Sequence, residues 1–195
     1  RENGAVTGVV VQAENGTEII AASSVVIADG GFQANPDLVQ AHIGCKSSDI
    51  QRRNAGTGIG DGLRMATEIG AASVGLGVFY GHVLSRDAMN NEKLWPYPQV
   101  DLICATSLLV DGAGQRFADE GQGGIYLANA IARLDNPLSA TAIFDARIWE
   151  EAKTTDNVPP NPALADAGGT VIEAATLNEL AEAAGIDAAG LSATV

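Results

Sequence analysis

Glycine turns at the start of helices can present backbone amides to a ligand, because residues without a Cβ allow close approach and the helix start favours anionic groups. The sequence holds two such places. Asp29-Gly30-Gly31 follows the apolar run Val25-Val26-Ile27-Ala28, and Asn35-Pro36 then opens a helix, so the order is strand, glycine turn, helix. Gly56-Thr57-Gly58-Ile59-Gly60-Asp61-Gly62 leads into Leu63, Met65, Ala66 and Ile69 at helical spacing. Either run serves equally well simply to turn the chain. The second lacks the Gly-Lys-Ser/Thr of a phosphate-binding loop and does not follow a strand as a GxGxxG fingerprint does, so it does not name its ligand. Cys45 and Cys104 have neither CxxC spacing nor a histidine cluster, which argues against a zinc site or a disulfide scaffold. They read as buried small hydrophobes in a reducing compartment, which points to the cytoplasm.

The elements that must position these groups are legible in outline. Residues 5–13 and 17–21 read as strands joined at Glu14-Asn15-Gly16, and 24–28 reads as a strand buried on both faces. Helices are expected at 36–43 and 61–70, packing against the apolar face that the three strands share. A domain boundary is placed near residues 76–82, where Tyr80, His82, Trp95 and Tyr97 enter a loop-like stretch with two prolines. Beyond it, 107–118 reads as a hairpin about Asp111-Gly112-Ala113-Gly114, 125–134 as a helix, 140–144 as a strand, and a further helix begins at Asp145. The prolines of 158–162 suggest a surface loop, and 170–173 a short strand. Thr176 and Glu179 form a capping box, and Asp187 caps one more helix.

Composition bounds the partners. The 195 residues hold 33 Ala and 23 Gly, 46% are hydrophobic and only 18% charged, a globular composition with enough apolar surface for a core. A net charge of −13, heaviest in residues 136–195, repels phosphate backbones and anionic lipid heads, so nucleic acid is excluded as a partner. No apolar run reaches the ~18 residues of a membrane span, and no signal peptide is recognisable. The sequence opens at Arg1, which suggests a piece of a longer protein.

Four segments in order resemble one family. VVIADGGFQANP at 25–36, GDGLRMATEIGA at 60–71, LLVDGAGQRFADE at 108–120 and TLNELAEAAGIDAAGLSATV at 176–195 are similar to segments of the fumarate reductase and succinate dehydrogenase type flavoproteins, which include flavocytochrome c fumarate reductases and 3-ketosteroid Δ1-dehydrogenases. The resemblance implies an α/β plus α+β fold: residues 1–78 as the later part of an FAD-binding domain, and 79–195 as the capping domain that controls substrate access. It places Ala28, Asp29, Gly30, Gly31, Gly60 and Asp61 at FAD, with Asp29 standing where the family has threonine and Ile59 where it often has threonine. His82 falls near the family's substrate-binding His-Pro-Thr, without the Pro and Thr, and Glu120 matches its RFxxE carboxylate, so these two are the candidate catalytic residues. The arginine that fumarate reductases place three residues later is Gly123 here.

The implied parent is an FAD-dependent oxidoreductase that moves a hydride between flavin and a small organic substrate, at a C–C bond next to a carbonyl. The few arginines near His82 and Glu120 favour a steroid or other ketone over a dicarboxylate, which wants guanidinium clamps. Trp95, Tyr97 and Tyr126 either line an apolar substrate pocket or pack in a core or lid. A non-catalytic binding or scaffold protein that kept the fold is the alternative. The dinucleotide-binding GxGxxG is not among these residues, so the isolated piece is expected to be inactive and not to retain FAD.

Overall fold

The computed structural model describes residues 3–154 and 157–195. The chain divides into two compact units, Arg1–Asn35 with Asn54–Val74, and Pro36–Arg53 with Gly75–Val195.

In the first unit, β1 (Gly8–Ala13) pairs antiparallel with β2 (Gly16–Ala21), Val10 opposite Ile19 and Ala13 opposite Gly16, so Glu14 and Asn15 form the expected tight turn. The shared apolar face expected of these strands is not buried: Val10 is 70% and Ile19 77% exposed. The strand expected at 24–28 is also absent. The run pairs with no strand among the described residues, and Val26 is 90% exposed. A β-branched run has the propensity for a strand, but the ladder exists only where a neighbour supplies the other half of its hydrogen bonds. The helix expected at 61–70 is α2 (Asp61–Glu68).

The second unit holds the buried core. Here α1 (Pro36–Ile43) buries Val39 and Ile43. Asp101–Thr106 is α3 and Gly124–Ala132 is α4; Leu94, Leu109 and Leu127 are buried beside Val83, Cys104 and Ala128 in one cluster. A second cluster joins Val110, Ala181, Ile186 and Leu191. β3 (Leu108–Val110) pairs antiparallel with β4 (Thr141–Ile143). The hairpin expected within 107–118 turns where it should, the Asp111 carboxylate accepting the Ala113 and Gln115 amides, but its return limb is a single bridge from Val110 to Arg116.

Asp145 caps α5 (Ala146–Glu151) by accepting the Ile148 amide. The prolines of 158–162 do not form a surface loop: they open α6 (Pro160–Asp166), with Pro160 and Asn161 buried and the Asn161 amide donating to the Trp149 carbonyl. Pro fits a first helical turn, where no N–H is needed, as readily as a loop. Residues 170–173 form no strand; the Thr170 amide is drawn instead to the Asp87 carboxylate at 2.6 Å. The loop-like stretch with Trp95 and Tyr97 contains short 3-10 helices at Arg86–Met89 and Glu92–Leu94. The capping box of α7 (Leu177–Ala184) is closed in both directions between Thr176 and Glu179, and Asp187 caps α8 (Ala188–Thr194).

Candidate functional site

Two constellations stand out, one in each unit. In the first, the two glycine turns meet. The Asp29 carboxylate accepts the Gly62 amide at 2.6 Å, capping the start of α2 from 33 residues away. A Cβ at Gly62 would overlap the Asp29 and Ile27 side chains, so the approach needs glycine there. Asn35 donates to the Ile59 carbonyl at 3.0 Å, and the Ala34 amide to the Gly58 carbonyl at 2.8 Å, so residues 29–35 lie pinned along 58–62. Ala28, Asp29, Gly30, Gly31, Gly60 and Asp61 are thereby gathered at one place. The backbone of Gly30 is exposed at φ +93°, with open space where a side chain would stand. The Asp61 carboxylate remains solvent-facing and pairs with Arg64 at 3.5 Å.

In the second unit, His82 is held on a short, doubly anchored segment. At its start, buried Asn129 of α4 accepts the Phe79 amide at 3.0 Å and donates to the Phe79 carbonyl at 2.8 Å. At its end, the Val83 carbonyl accepts the Val100 amide, and the Val83 amide donates to Asp101 Oδ1 at 2.7 Å. The other oxygen, Asp101 Oδ2, lies 2.6 Å from His82 Nδ1. His82 is 32% exposed, its ring meeting Tyr80 edge-on at 5.3 Å between centroids. A Cβ at Gly124 would overlap Asp101, so the opening of α4 has to be glycine for the carboxylate to sit there. Sequence reasoning missed Asp101. Its only local signal was an acid opening an apolar helix, which is what an ordinary helix start looks like.

Glu120 is 4% exposed, and both its oxygens are engaged. Arg116 reaches Oε2 through Nη2 at 2.6 Å and Nε at 3.0 Å, while the Leu109 amide donates to Oε1 at 2.8 Å. Burial alone would raise its pKa, but the Arg116 guanidinium and the Leu109 amide outweigh that and hold the carboxyl below its ordinary value. No hydrogen bond joins Glu120 to His82 among the described residues, so these two candidates lie in separate hydrogen-bonded groups. The four-residue spacing of Arg116 and Glu120 was a readable sign of their pairing. Both cysteines are free and buried, and burial pushes the Cys104 thiol up to about 12. Tyr97 lies under the Arg53 guanidinium at 5.7 Å. An open groove of about 460 Å³ between Ser107, Phe144, Ile148 and Leu177 contains none of the candidate residues. Among the described residues there is no cluster of His, Cys, Asp and Glu able to hold a metal ion, and no helix long and apolar enough to cross a membrane.

The chain is a mix of helices and small sheets in which two glycine turns join at a helix start. Residues 1–195 match the FAD binding domain family, and the chain belongs to it. It is 31% identical over 202 residues to 4-oxocyclohexanecarboxylate 2-dehydrogenase of Sinomonas cyclohexanicum, covering 100% of this chain and 34% of that protein. It is 29% identical over 201 residues to NADH:acrylate oxidoreductase of Vibrio harveyi, covering 100% of this chain and 19% of that one. The solved structure of 3-ketosteroid-Δ4-(5α)-dehydrogenase from Rhodococcus jostii RHA1, in complex with 4-androstene-3,17-dione, shares the fold with a TM-score of 0.62 at 22% identity, over 99% of this chain and 36% of that one. The chain therefore spans about a third or less of the length of these relatives. FAD is the cofactor of the family, and the joined turns fit it in the respect the structure shows: exposed backbone without side chains above it at Gly30, and a solvent-facing carboxylate at Asp61.

Proposed function

We propose that this chain is part of an FAD-dependent oxidoreductase that moves hydrogen across a C–C bond next to a carbonyl in a small cyclic ketone. The observation that carries the reading is the Asp29–Gly62 bond, which makes one surface of the two glycine turns in a chain matched from end to end by the FAD-binding family. On this reading residues 1–78 belong to the FAD-binding domain and 79–195 form the capping domain; the compact unit that takes in Gly75–Val195 supports the boundary, although Pro36–Arg53 belongs to that unit and not with the rest of 1–78. Ala28, Asp29, Gly30, Gly31 and Gly60 lie along the cofactor through their backbones, and Asp61 accepts a hydrogen bond from one of its hydroxyls. Bound FAD supplies the hydride chemistry. His82 meets the substrate, and Glu120 fixes Arg116 and the start of β3.

A ketone is favoured over a dicarboxylate by the state of the guanidinium groups. Arg116 is committed to Glu120, Arg86 to the Leu138 carbonyl and Arg133 to the Gly77 carbonyl, and none touches His82 or Asp101 among the described residues. Beside His82 and Asp101, then, no guanidinium among the described residues offers a dicarboxylate a bidentate partner. Two free, buried thiols suit a reducing, cytoplasmic setting. The test is anaerobic mixing of the FAD-loaded full-length parent with 4-oxocyclohexanecarboxylate, a 3-ketosteroid or succinate. Bleaching of the flavin band by a ketone and not by succinate is the expected result; bleaching by succinate alone would replace the ketone reading with a dicarboxylate one.

A further inference from the structure

We propose that Asp101 is a positioning residue that fixes the tautomer of His82, leaving Nε2 as a proton acceptor that removes a proton from the carbon next to the substrate carbonyl. The inference rests on the proposed function for its substrate and on geometry alone for the tautomer. An ionised carboxylate offers only acceptors. Asp101 spends Oδ1 on the Val83 amide at 2.7 Å and turns Oδ2 to His82 Nδ1 at 2.6 Å, so a neutral His82 carries its hydrogen on Nδ1. Nε2 then carries the lone pair on a ring that is 32% exposed, and among the described residues it has no hydrogen-bond partner. The ring has little freedom to turn away. Asn129 anchors the segment at Phe79, Asp101 and Val100 anchor it at Val83, and Tyr80 stands edge-on to the imidazole.

This arrangement changes what His82 can do. A histidine free to choose its tautomer could donate to a carbonyl oxygen; one held with hydrogen on Nδ1 must first accept. In the proposed step the C–H bond next to the carbonyl breaks, its electron pair stays with the substrate as an enolate, and the proton forms the Nε2–H bond. The resulting imidazolium lies against the Asp101 carboxylate, which stabilises the charge where it develops. Gly124 belongs to the same device, because only a residue without Cβ lets α4 begin against Asp101.

The chain has only two histidines, so its imidazole nitrogens can be resolved by two-bond 1H–15N correlation of the labelled 195-residue protein in mildly alkaline buffer, with His82→Gln identifying the His82 signals. Wild type should show a protonated, pyrrole-type Nδ1 and an unprotonated, pyridine-type Nε2. Asp101→Asn keeps an oxygen for the Val83 amide but turns an NH2 toward the ring, so the pattern should invert. A wild-type spectrum with hydrogen on Nε2, or an even mixture, overturns the proposal without need of the variant. In the FAD-loaded parent turning over a cyclic ketone, Asp101→Asn should lower kcat by roughly 10²–10⁴-fold, the share a positioned general base contributes, with KM little changed. Inversion of the tautomer with kcat unchanged would remove the base role. Failure of the parent to react with any ketone would instead strike the proposed function, leaving the spectral result to stand or fall by itself.

Discussion

Glu120 and Asp101 show how alike two carboxylates can look in sequence and how differently neighbours use them. Asp101 divides its oxygens between a backbone amide and an imidazole that faces solvent; Glu120 gives both of its own to Arg116 and Leu109 beneath the surface. The depressed pKa of Glu120 makes it a stabilising group whose contribution is complete above the ordinary carboxylate value of about 4.3 and is lost as pH falls through the lower folded value. Asp87 acts in the same direction: burial would raise its pKa, but bonds from Thr170 and Ser85 lower it. Glu120→Gln should therefore lower the denaturant midpoint at pH 7 and flatten the loss of stability below about pH 4.3, with the Asp87 share of the slope remaining. Denaturant titrations from pH 7 to pH 3 measure it, and identical slopes for the two proteins would show that Glu120 is not a linked group.

Helix starts were the most readable elements, because the groups that close them lie within four residues. The Thr176 hydroxyl accepts the Glu179 amide at 3.2 Å while Glu179 accepts the Thr176 amide at 3.1 Å, so two otherwise unsatisfied donors of α7 are settled by sequence neighbours. Thr176→Ala should cost about 1 kcal/mol of stability, measurable by denaturant unfolding, and Thr176→Ser should restore most of it. The start of α2 is different. Its cap is Asp29, from another segment, and no local pattern around Gly60 announces it. Strands divide the same way. The turn at Glu14-Asn15 declares β1 and β2, whereas β3 takes as its partner β4, some 30 residues later, in place of the segment just beyond its own turn.

Across the whole molecule, burial is unequal. Every buried apolar side chain among the described residues belongs to the unit containing Gly75–Val195; in the other unit the buried positions are Gly58, Gly60 and Gly62. A two-stranded hairpin without a covered face is marginal in water. Amides of β1 and β2 in the isolated chain should therefore exchange with solvent deuterium orders of magnitude faster than those of Leu109, Val110 and Leu127, which sit at the centre of the core. Equal protection in both units would show a source of stability beyond apolar burial. The purified 195-residue chain should also be colourless. It offers FAD the joined turns but no GxGxxG helix start to cradle the pyrophosphate, and each missing charge-assisted bond removes about 1.5–3 kcal/mol. Stoichiometric flavin absorbance after purification would overturn that expectation.

The sequence by itself determined the family, through four segments in order, and those helices whose caps are written beside them: Asp145 for α5, Thr176 with Glu179 for α7, Asp187 for α8. It also picked out the residues of both glycine turns, since glycine density needs no partner to be seen. Tertiary structure alone decided what those residues touch. Asp29 reaches Gly62 across 33 residues, Asp101 reaches His82 across 19, and Asp87 reaches Thr170 across 83. It also decided that 24–28 and 170–173 form no strands and that the prolines of 158–162 begin a helix. A cap or a tight turn is settled within one turn of chain, where the sequence lists both partners side by side. A strand, a buried carboxylate or a held imidazole acquires its state from a group whose position exists only once the chain has folded.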